Sequence, residues 1–203
     1  MRIALIGATG NIGTEIAGEA LRRGHEVTAI VRNVEKVPQQ AGLTARKGDV
    51  NDRAALAEAL RGHDVVASSV HFTDVDAATL TGAVREGGVS RLAVVGGAGS
   101  LLLPDGGRLI DAPGFPEAYK PEAAAGAAFL DTLKEETDLD WTFLSPSAMI
   151  APGERTGRFR LGDDGLLVGE DGQSRISQAD YAIAFVDELE RPAHSRRRFT
   201  VGY

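Results

Sequence analysis

Short apolar runs alternate with segments of helical periodicity along the first half of the chain. The apolar runs are predicted to be strands that are buried on both faces, and they cover Arg2–Ile6, Val27–Val31, Leu43–Lys47, Asp64–Ser69 and Arg91–Val95. Between them, apolar residues at spacings of three and four predict helices from Ile12 to Arg23, from Asn51, which can cap its helix, to Arg61, and from about Asp74 to Glu86. This alternation predicts an α/β fold with a Rossmann-type, doubly wound parallel sheet.

The pattern changes after the fifth predicted strand. Residues 100–119 are rich in proline and glycine, and a loop of this length is a candidate lid. A helix from Pro121 to Glu136 and a strand at Trp141–Leu144 follow, with Trp141 expected in the core. Residues 145–175 form an irregular segment with two short strand-like pieces, at 158–161 and 166–168.

The chain ends in one more helix and one more strand. Ser177 and Asp180 have the spacing of a capping box, which opens a helix that reaches Glu190, and Phe199–Val201 is predicted to be the last strand. No repeat or linker interrupts the sequence. We therefore predict a single domain over residues 1–203, with a small C-terminal substrate-side region at residues 145–175.

Three glycines separate the first strand from the first helix. Gly7 permits a tight turn, Gly10 lets backbone N–H groups approach a pyrophosphate, and Gly13 lets the helix pack closely on the strand. The phosphates would lie at the helix N-terminus, where unpaired N–H groups favour an anion. A glycine-rich turn without a ligand is the alternative. In the nucleotide-binding interpretation, the cofactor residues of this turn are Gly7, Thr9, Gly10, Asn11, Ile12 and Gly13.

The end of the second strand predicts which dinucleotide binds. An acidic residue at this place would bind the ribose 2′-hydroxyl of NAD, but this strand ends in Arg32, with Lys36 one turn later. Positive charge suits the 2′-phosphate of NADP, so we predict that NADP is preferred and that NAD remains possible. The alternative is that Arg32 is an ordinary solvated residue.

Residues at the ends of the next strands are predicted to line the dinucleotide crevice, because ligands of open α/β sheets bind outside the carboxyl ends of the strands. Asp49 could accept a hydrogen bond from the adenine amino group, with Val50 against the ring; alternatively, Asp49 caps the helix that starts near Asn51. The remaining predicted crevice residues are Ser68, Ser69, Val70, Gly96, Gly97 and Pro146.

Composition narrows the class of partner. A net charge of −7 and a pI near 5.1 argue against a nucleic-acid partner, and no apolar run approaches the ~20 residues of a membrane span. The chain has no cysteine, and its four histidines are scattered, so we predict a cytoplasmic protein without a metal site. The expected partner is a small-molecule acceptor. The sequence does not indicate an oligomeric state.

Several motifs carry a family resemblance that spans nearly the whole chain. The glycine turn, His25–Asn33 and Gly48–Val50 resemble the atypical short-chain dehydrogenase group, which includes NmrA-like proteins. The downstream motifs resemble bacterial proteins that are named NADH-flavin reductases by similarity, relatives of the flavin reductase/biliverdin-IXβ reductase. These motifs are Val95–Leu101, Phe115–Pro116, Trp141–Pro146, Pro152–Gly157 and Ile176–Ala182. The resemblance implies NAD(P)H-dependent reduction of a flavin or a similar flat acceptor, with the flavin as substrate and not as a bound prosthetic group.

The chain departs from usual short-chain dehydrogenases at the catalytic relay. Tyr119 is followed four residues later by Ala123 and not by lysine, so no Tyr-x-x-x-Lys relay can be drawn. Hydride transfer to a flavin depends mainly on stacking and orientation and is compatible with this absence. Ser147 stands after Pro146, where the mammalian flavin/biliverdin reductase carries a histidine, which puts a shared proton donor in doubt.

The residues that would contact the acceptor are therefore predicted from weaker signals than the cofactor residues. Ser100 is the predicted catalytic residue because it follows the fifth strand, although a loop serine that bonds to local backbone is an equal alternative. The predicted substrate-binding residues are Phe115, Tyr119, Ser147 and Met149. The alternative function is an NmrA-like regulator that senses NADP without turning it over, and an epimerase or dehydratase ranks last.

Overall fold

The computed structural model describes residues 1–203 and contains ten strands and five helices of two turns or more. The strands are β1 (Arg2–Ile6), β2 (Glu26–Val31), β3 (Leu43–Lys47), β4 (Val65–Ser68), β5 (Arg91–Val95), β6 (Asp140–Pro146), β7 (Met149–Ala151), β8 (Arg160–Gly162), β9 (Arg175–Ser177) and β10 (Arg197–Gly202). The helices are α1 (Asn11–Arg22), α2 (Arg53–Leu60), α3 (Ala77–Glu86), α4 (Lys120–Lys134) and α5 (Gln178–Glu190). None of these helices is both long and apolar enough to cross a membrane.

Eight strands form one sheet in the order β3-β2-β1-β4-β5-β6-β10-β8. Every neighbouring pair is parallel except β10 and β8, which are antiparallel. The predicted doubly wound parallel sheet is therefore confirmed. Because β1 to β6 and β10 are parallel, their carboxyl ends lie along one edge, which we call the carboxyl edge.

Two apolar layers cover the sheet. On one face, α1 and α5 pack against each other over a cluster that includes Leu5, Ile16 and Phe185. On the other face, α2, α3 and α4 bury a second cluster, in which Trp141 is 2% exposed, as predicted for a core residue. Phe72 of this cluster stacks on Phe143 with ring centroids 5.7 Å apart. The sheet is thus buried on both sides, which leaves its carboxyl edge for ligands.

Some predicted boundaries are wrong. The helix expected to begin at about Asp74 begins at Ala77, because Asp76 caps it by accepting a hydrogen bond from the Thr79 N–H at 2.8 Å. Asp52, and not Asn51, caps α2 by accepting from the Ala55 N–H at 3.1 Å. Residues 166–168 are not a strand, whereas part of 158–161 forms β8.

Candidate functional site

A cleft of about 750 Å³ opens at the carboxyl edge, outside the ends of β1 to β4. It brings together residues that lie up to 70 positions apart, from Ile6 to Asp76. Seven of the residues predicted to bind a cofactor line it, namely Gly7, Thr9, Arg32, Lys36, Asp49, Val50 and Val70. The arrangement is the one predicted for a dinucleotide crevice, with the glycine turn and the two cations, Arg32 and Lys36, in one lining.

The glycine turn is built for close backbone approach. Gly7 has a φ of +81°, which favours glycine, and its carbonyl accepts from the Gly10 N–H at 3.1 Å. A methyl group on Gly13 would lie 2.2 Å from the Gly7 oxygen, so only glycine lets α1 start this close to the turn. Gly10 caps α1 without a side chain, and the N–H groups of the first helical turn have no side-chain acceptor. Those groups suit a phosphate.

Arg32 and Lys36 provide the positive charge of the cleft. Both are exposed, and neither side chain forms an ion pair or a hydrogen bond with the protein. The Asn33 side chain accepts from the Glu35 N–H at 3.0 Å, which starts the short turn that ends at Lys36. The two cations are therefore free for an anionic ligand group.

Asp49 lies in the cleft and does not cap a helix. Its carboxylate accepts from the Asn51 N–H at 3.0 Å, while α2 is capped by Asp52. The helix-capping alternative for Asp49 is therefore wrong. The other carboxylate oxygen of Asp49 has no hydrogen-bond partner in the protein, so it can accept a hydrogen bond from a ligand.

The sequence predictions missed the loop that follows β4. Thr73, Asp74, Val75 and Asp76 line the same cleft as Arg32 and Lys36. The Glu122 carboxylate holds the start of this loop, because it accepts from the N–H groups of Phe72 at 2.7 Å and Thr73 at 3.1 Å. The signal that could have found these residues is their position between a parallel strand and the next helix.

The other predicted crevice residues lie outside this cleft. Ser68 and Pro146 are buried, and the Ser69 N–H donates to the Ile6 carbonyl at 2.9 Å. A methyl group on Gly96 would lie 2.4 Å from the Phe143 ring, whereas one on Gly97 would make only an ordinary van der Waals contact. Packing of Phe143 is thus sufficient to explain Gly96. The contacts of Ser68, Ser69, Gly96, Gly97 and Pro146 with a cofactor stay predictions.

Of the residues predicted to bind the acceptor, two are exposed and one is completely buried. Tyr119 and Met149 are 67% and 56% exposed, and Phe115 is half-buried. Ser147 is completely buried, and its hydroxyl donates to the Val201 carbonyl at 3.0 Å. A side chain in this position cannot touch an acceptor, so Ser147 is removed from the candidate substrate residues.

Ser100 lies beside a buried arginine. Its hydroxyl oxygen accepts from Arg198 at 3.3 Å, and Arg198 is itself paired with Asp164 at 2.6 Å. This contact agrees with the structural alternative for Ser100 and leaves its proton free. A catalytic role for Ser100 stays a prediction.

No tyrosine–lysine relay is present at the edge. The Lys120 ammonium group bonds to Glu117 at 2.5 Å, and Tyr119 points to solvent. Tyr181 is fully buried, donates to the Leu144 carbonyl at 2.6 Å, and has a pKa raised by burial. Its phenol is a packing group and is unavailable for proton transfer.

Two buried carboxylates fix the segment that follows β7. Asp180 accepts from the N–H groups of Thr156 and Gly157, each at 2.8 Å, and from the hydroxyls of Thr156 and Tyr203. Burial alone would raise the pKa of Asp180, but these hydrogen bonds hold it below its usual value. The predicted capping box is therefore only half formed: the Ser177 hydroxyl oxygen accepts from the Asp180 N–H, but the Asp180 carboxylate turns to this segment.

Glu19 of α1 makes the second anchor. It is 5% exposed, and its carboxylate bonds to Arg155 as well as to Arg22 and Arg23. Burial alone would raise the pKa of Glu19, but the three guanidinium groups outweigh this effect and lower it to about 2. The segment from Arg155 to Gly157 is thus held against α1 and α5 at two points.

Comparison with known proteins agrees with this geometry. The family model described as NAD(P)H-binding matches residues 7–192. The uncharacterized protein YwnB of Bacillus subtilis is 43% identical over an alignment of 211 positions. The alignment covers 99% of this chain and 98% of YwnB. A crystal structure from Bacteroides thetaiotaomicron, described as a "putative epimerase", is 43% identical with a TM-score of 0.95 and covers 100% of this chain and 96% of that one. A structure from Streptococcus pneumoniae, described as a "putative NADH-flavin reductase", is 38% identical with a TM-score of 0.84. The match covers 100% of this chain and 99% of that one.

Proposed function

Because this chain belongs to the NAD(P)H-binding family, we propose that it is an oxidoreductase that uses NADPH to reduce a flavin or a similar flat acceptor. The observation that carries the preference for NADPH is the pair of unpartnered cations, Arg32 and Lys36, in the cleft beside the glycine turn. The similarity to the Streptococcus pneumoniae protein supports the choice of acceptor.

Different residues of the cleft would bind different parts of the cofactor. The N–H groups at the start of α1 would hold the pyrophosphate, and Arg32 with Lys36 would hold the 2′-phosphate. Asp49 and Val50 would receive the adenine. When bound, the cofactor supplies the hydride; the protein supplies orientation and a surface on which a flat acceptor can stack.

The absence of a relay favours this acceptor over a carbonyl substrate. Carbonyl reduction needs a proton donor at the new alkoxide, and the structure offers no tyrosine–lysine pair for it. Ser100 is the polar group that we propose near the nicotinamide, and Phe115, Tyr119 and Met149 are the proposed contacts of the acceptor.

Cofactor preference can be tested by calorimetry with NADPH and NADH. We expect Arg32→Ala to weaken NADPH binding by about 10- to 100-fold, because one charge-assisted hydrogen bond contributes ~1.5–3 kcal/mol, and to change NADH binding much less. Arg61→Ala is the control, since Arg61 is exposed and lies outside the cleft. Equal losses for both cofactors would show that Arg32 does not read the 2′-phosphate.

Reductase activity can be tested by NADPH oxidation in the presence of FMN, FAD or riboflavin. We expect turnover well above the buffer rate with at least one of them. A folded protein that binds NADPH but gives no turnover would refute the proposal. That result would favour an NADP-sensing regulator, which shares every cofactor residue with the reductase.

A further inference from the structure

A second cavity lies apart from the dinucleotide cleft and shares no residue with it. It has a volume of about 550 Å³ and is lined by Arg158, Phe159, Arg160, Val168, Glu170 and Tyr203, together with Gly169. Tyr203 directly follows β10, and Val201 pairs with Pro146 at the end of β6. The cavity is therefore on the carboxyl edge, beyond β6. Arg32 follows β2, near the other end of the strand order.

We propose that this cavity binds the anionic tail of the acceptor, so that a flat acceptor with a phosphate group, such as FMN, is preferred to an uncharged one, such as riboflavin. This inference rests on the proposed reductase function. It adds the class of substrate and a residue, Arg158, that selects it.

The charge of the cavity supports an anionic ligand. The Arg158 side chain has no hydrogen bond or ion pair with the protein. The Arg160 guanidinium group donates to the main-chain oxygens of Val168 at 2.7 Å and Tyr203 at 2.5 Å, which fixes its position. Glu170 contributes one negative charge and has no ion pair. The Arg158 guanidinium group is thus the one cation of the lining without a protein partner, in a chain whose net charge is −7.

Nearby acidic residues do not cancel this charge. Asp164 is paired with Arg198, and Asp171 is paired with Arg175. Asp163 is exposed and does not line the cavity. The guanidinium group of Arg158 is thus the free cation of the lining.

The backbone that carries Arg158 is held in place. The Arg158 N–H donates to the Thr156 hydroxyl oxygen at 3.1 Å, and Thr156 is bound to the buried carboxylate of Asp180. Tyr203 donates its hydroxyl to the same carboxylate at 2.8 Å, so one group orders two walls of the cavity. Binding to a site that is already ordered costs less conformational entropy.

Apolar groups complete the site. Phe159 is half-buried against the core cluster of α1 and α5, and Val168 is 42% exposed. A lining of apolar walls with a few charged groups is typical of small-molecule sites. The walls suit the uncharged part of the tail, and the arginines suit its phosphate.

The test compares FMN with riboflavin at saturating NADPH. We expect kcat/KM to be about five- to tenfold higher for FMN, since one exposed arginine–phosphate contact changes affinity by roughly this factor. Arg158→Ala should reduce this ratio to near one, and Arg158→Glu should reverse it. Arg197→Ala is the matched control, because Arg197 is an exposed arginine at the opposite end of β10, and it should keep the ratio. A ratio near one in the unaltered protein, or an equal loss for both flavins in Arg158→Ala, would overturn the inference.

A binding measurement separates this inference from the proposed function. Flavin fluorescence in the presence of NADP gives the two dissociation constants without turnover. If neither flavin is reduced but FMN binds at least fivefold more tightly, and Arg158→Ala abolishes the difference, the reductase is refuted and the anion site stands. If FMN is reduced but both flavins bind equally, the reductase stands and the anion site is refuted.

Discussion

Replacing Gly13 by alanine tests whether close contact between α1 and the glycine turn is required. The new methyl carbon would lie 2.2 Å from the Gly7 oxygen, 3.0 Å from the Gly7 carbonyl carbon and 3.1 Å from the Ala8 Cα. All three atoms belong to the backbone of the turn, so no side chain can move aside to make space. Either the turn opens or α1 shifts.

The expected cost follows from two opposing effects. Overpacking of this kind costs about 1–3 kcal/mol, and a backbone obstacle places the cost at the upper end. Alanine gains roughly 1 kcal/mol over glycine inside a helix. We therefore expect a net destabilisation of about 2 kcal/mol, which lowers the Tm by roughly 4–8 °C for a chain of this size.

Gly18→Ala is the matched control in the same helix. Gly18 is exposed, and a methyl group on it would meet nothing within 4 Å. Only the gain in helix propensity remains, so the Tm should rise by roughly 2–4 °C. The two substitutions are chemically identical and are expected to have opposite signs.

Calorimetry and NADPH titration measure both consequences. Gly13→Ala should also weaken NADPH binding more than tenfold, because the displaced turn no longer presents the N–H groups of α1, whereas Gly18→Ala should leave it unchanged. A Gly13→Ala protein that is as stable as the unaltered protein and binds NADPH equally well would refute the role assigned to this contact.

Two further predictions concern buried groups. Glu19→Gln should lower stability at neutral pH by about 2 kcal/mol, because three charge-assisted contacts weaken. The folded pKa of Glu19 is about 2, below its ordinary value of 4.5, so its contribution is complete above about pH 4.5 and is lost as the pH falls toward 2. Tm measured from pH 7 to pH 2 should therefore fall less steeply over this window in the variant; parallel curves would contradict the assignment. Tyr181→Phe should cost only about 1 kcal/mol, because the Leu144 carbonyl keeps the Gly96 N–H as a donor at 2.8 Å; a loss above about 3 kcal/mol in urea unfolding, or weaker NADPH binding, would show that the phenol does more.

Local patterns in the sequence were sufficient to predict the sheet and to place the glycine turn and Arg32 at the same edge of it. Strand and helix periodicity depends on neighbours within a few residues. The strands β1 to β6 and their alternation with helices were therefore predictable. Arg32 was placed correctly because the end of β2 and the glycine turn always meet at the same edge of a doubly wound sheet. The structure puts both in one cleft.

Contacts between distant residues were not predictable from these patterns. Ser147 looked like a polar residue at the edge, but its pairing with Val201 of β10 buries it. Asp180 has the local pattern of a capping residue, yet it binds Thr156 and Tyr203, which lie 24 and 23 positions away. Which partner a carboxylate chooses depends on what the folded chain brings near it.

The sequence by itself thus determined the architecture and the NAD(P)H-binding family, because glycine spacing and apolar periodicity act locally. Only the tertiary structure decided the region in which we propose that the acceptor binds. There, Glu19 and Asp180 order the segment from Arg155 to Gly157 from elements far away in the chain. That order presents Arg158 to a cavity whose walls come from three separate stretches of the sequence.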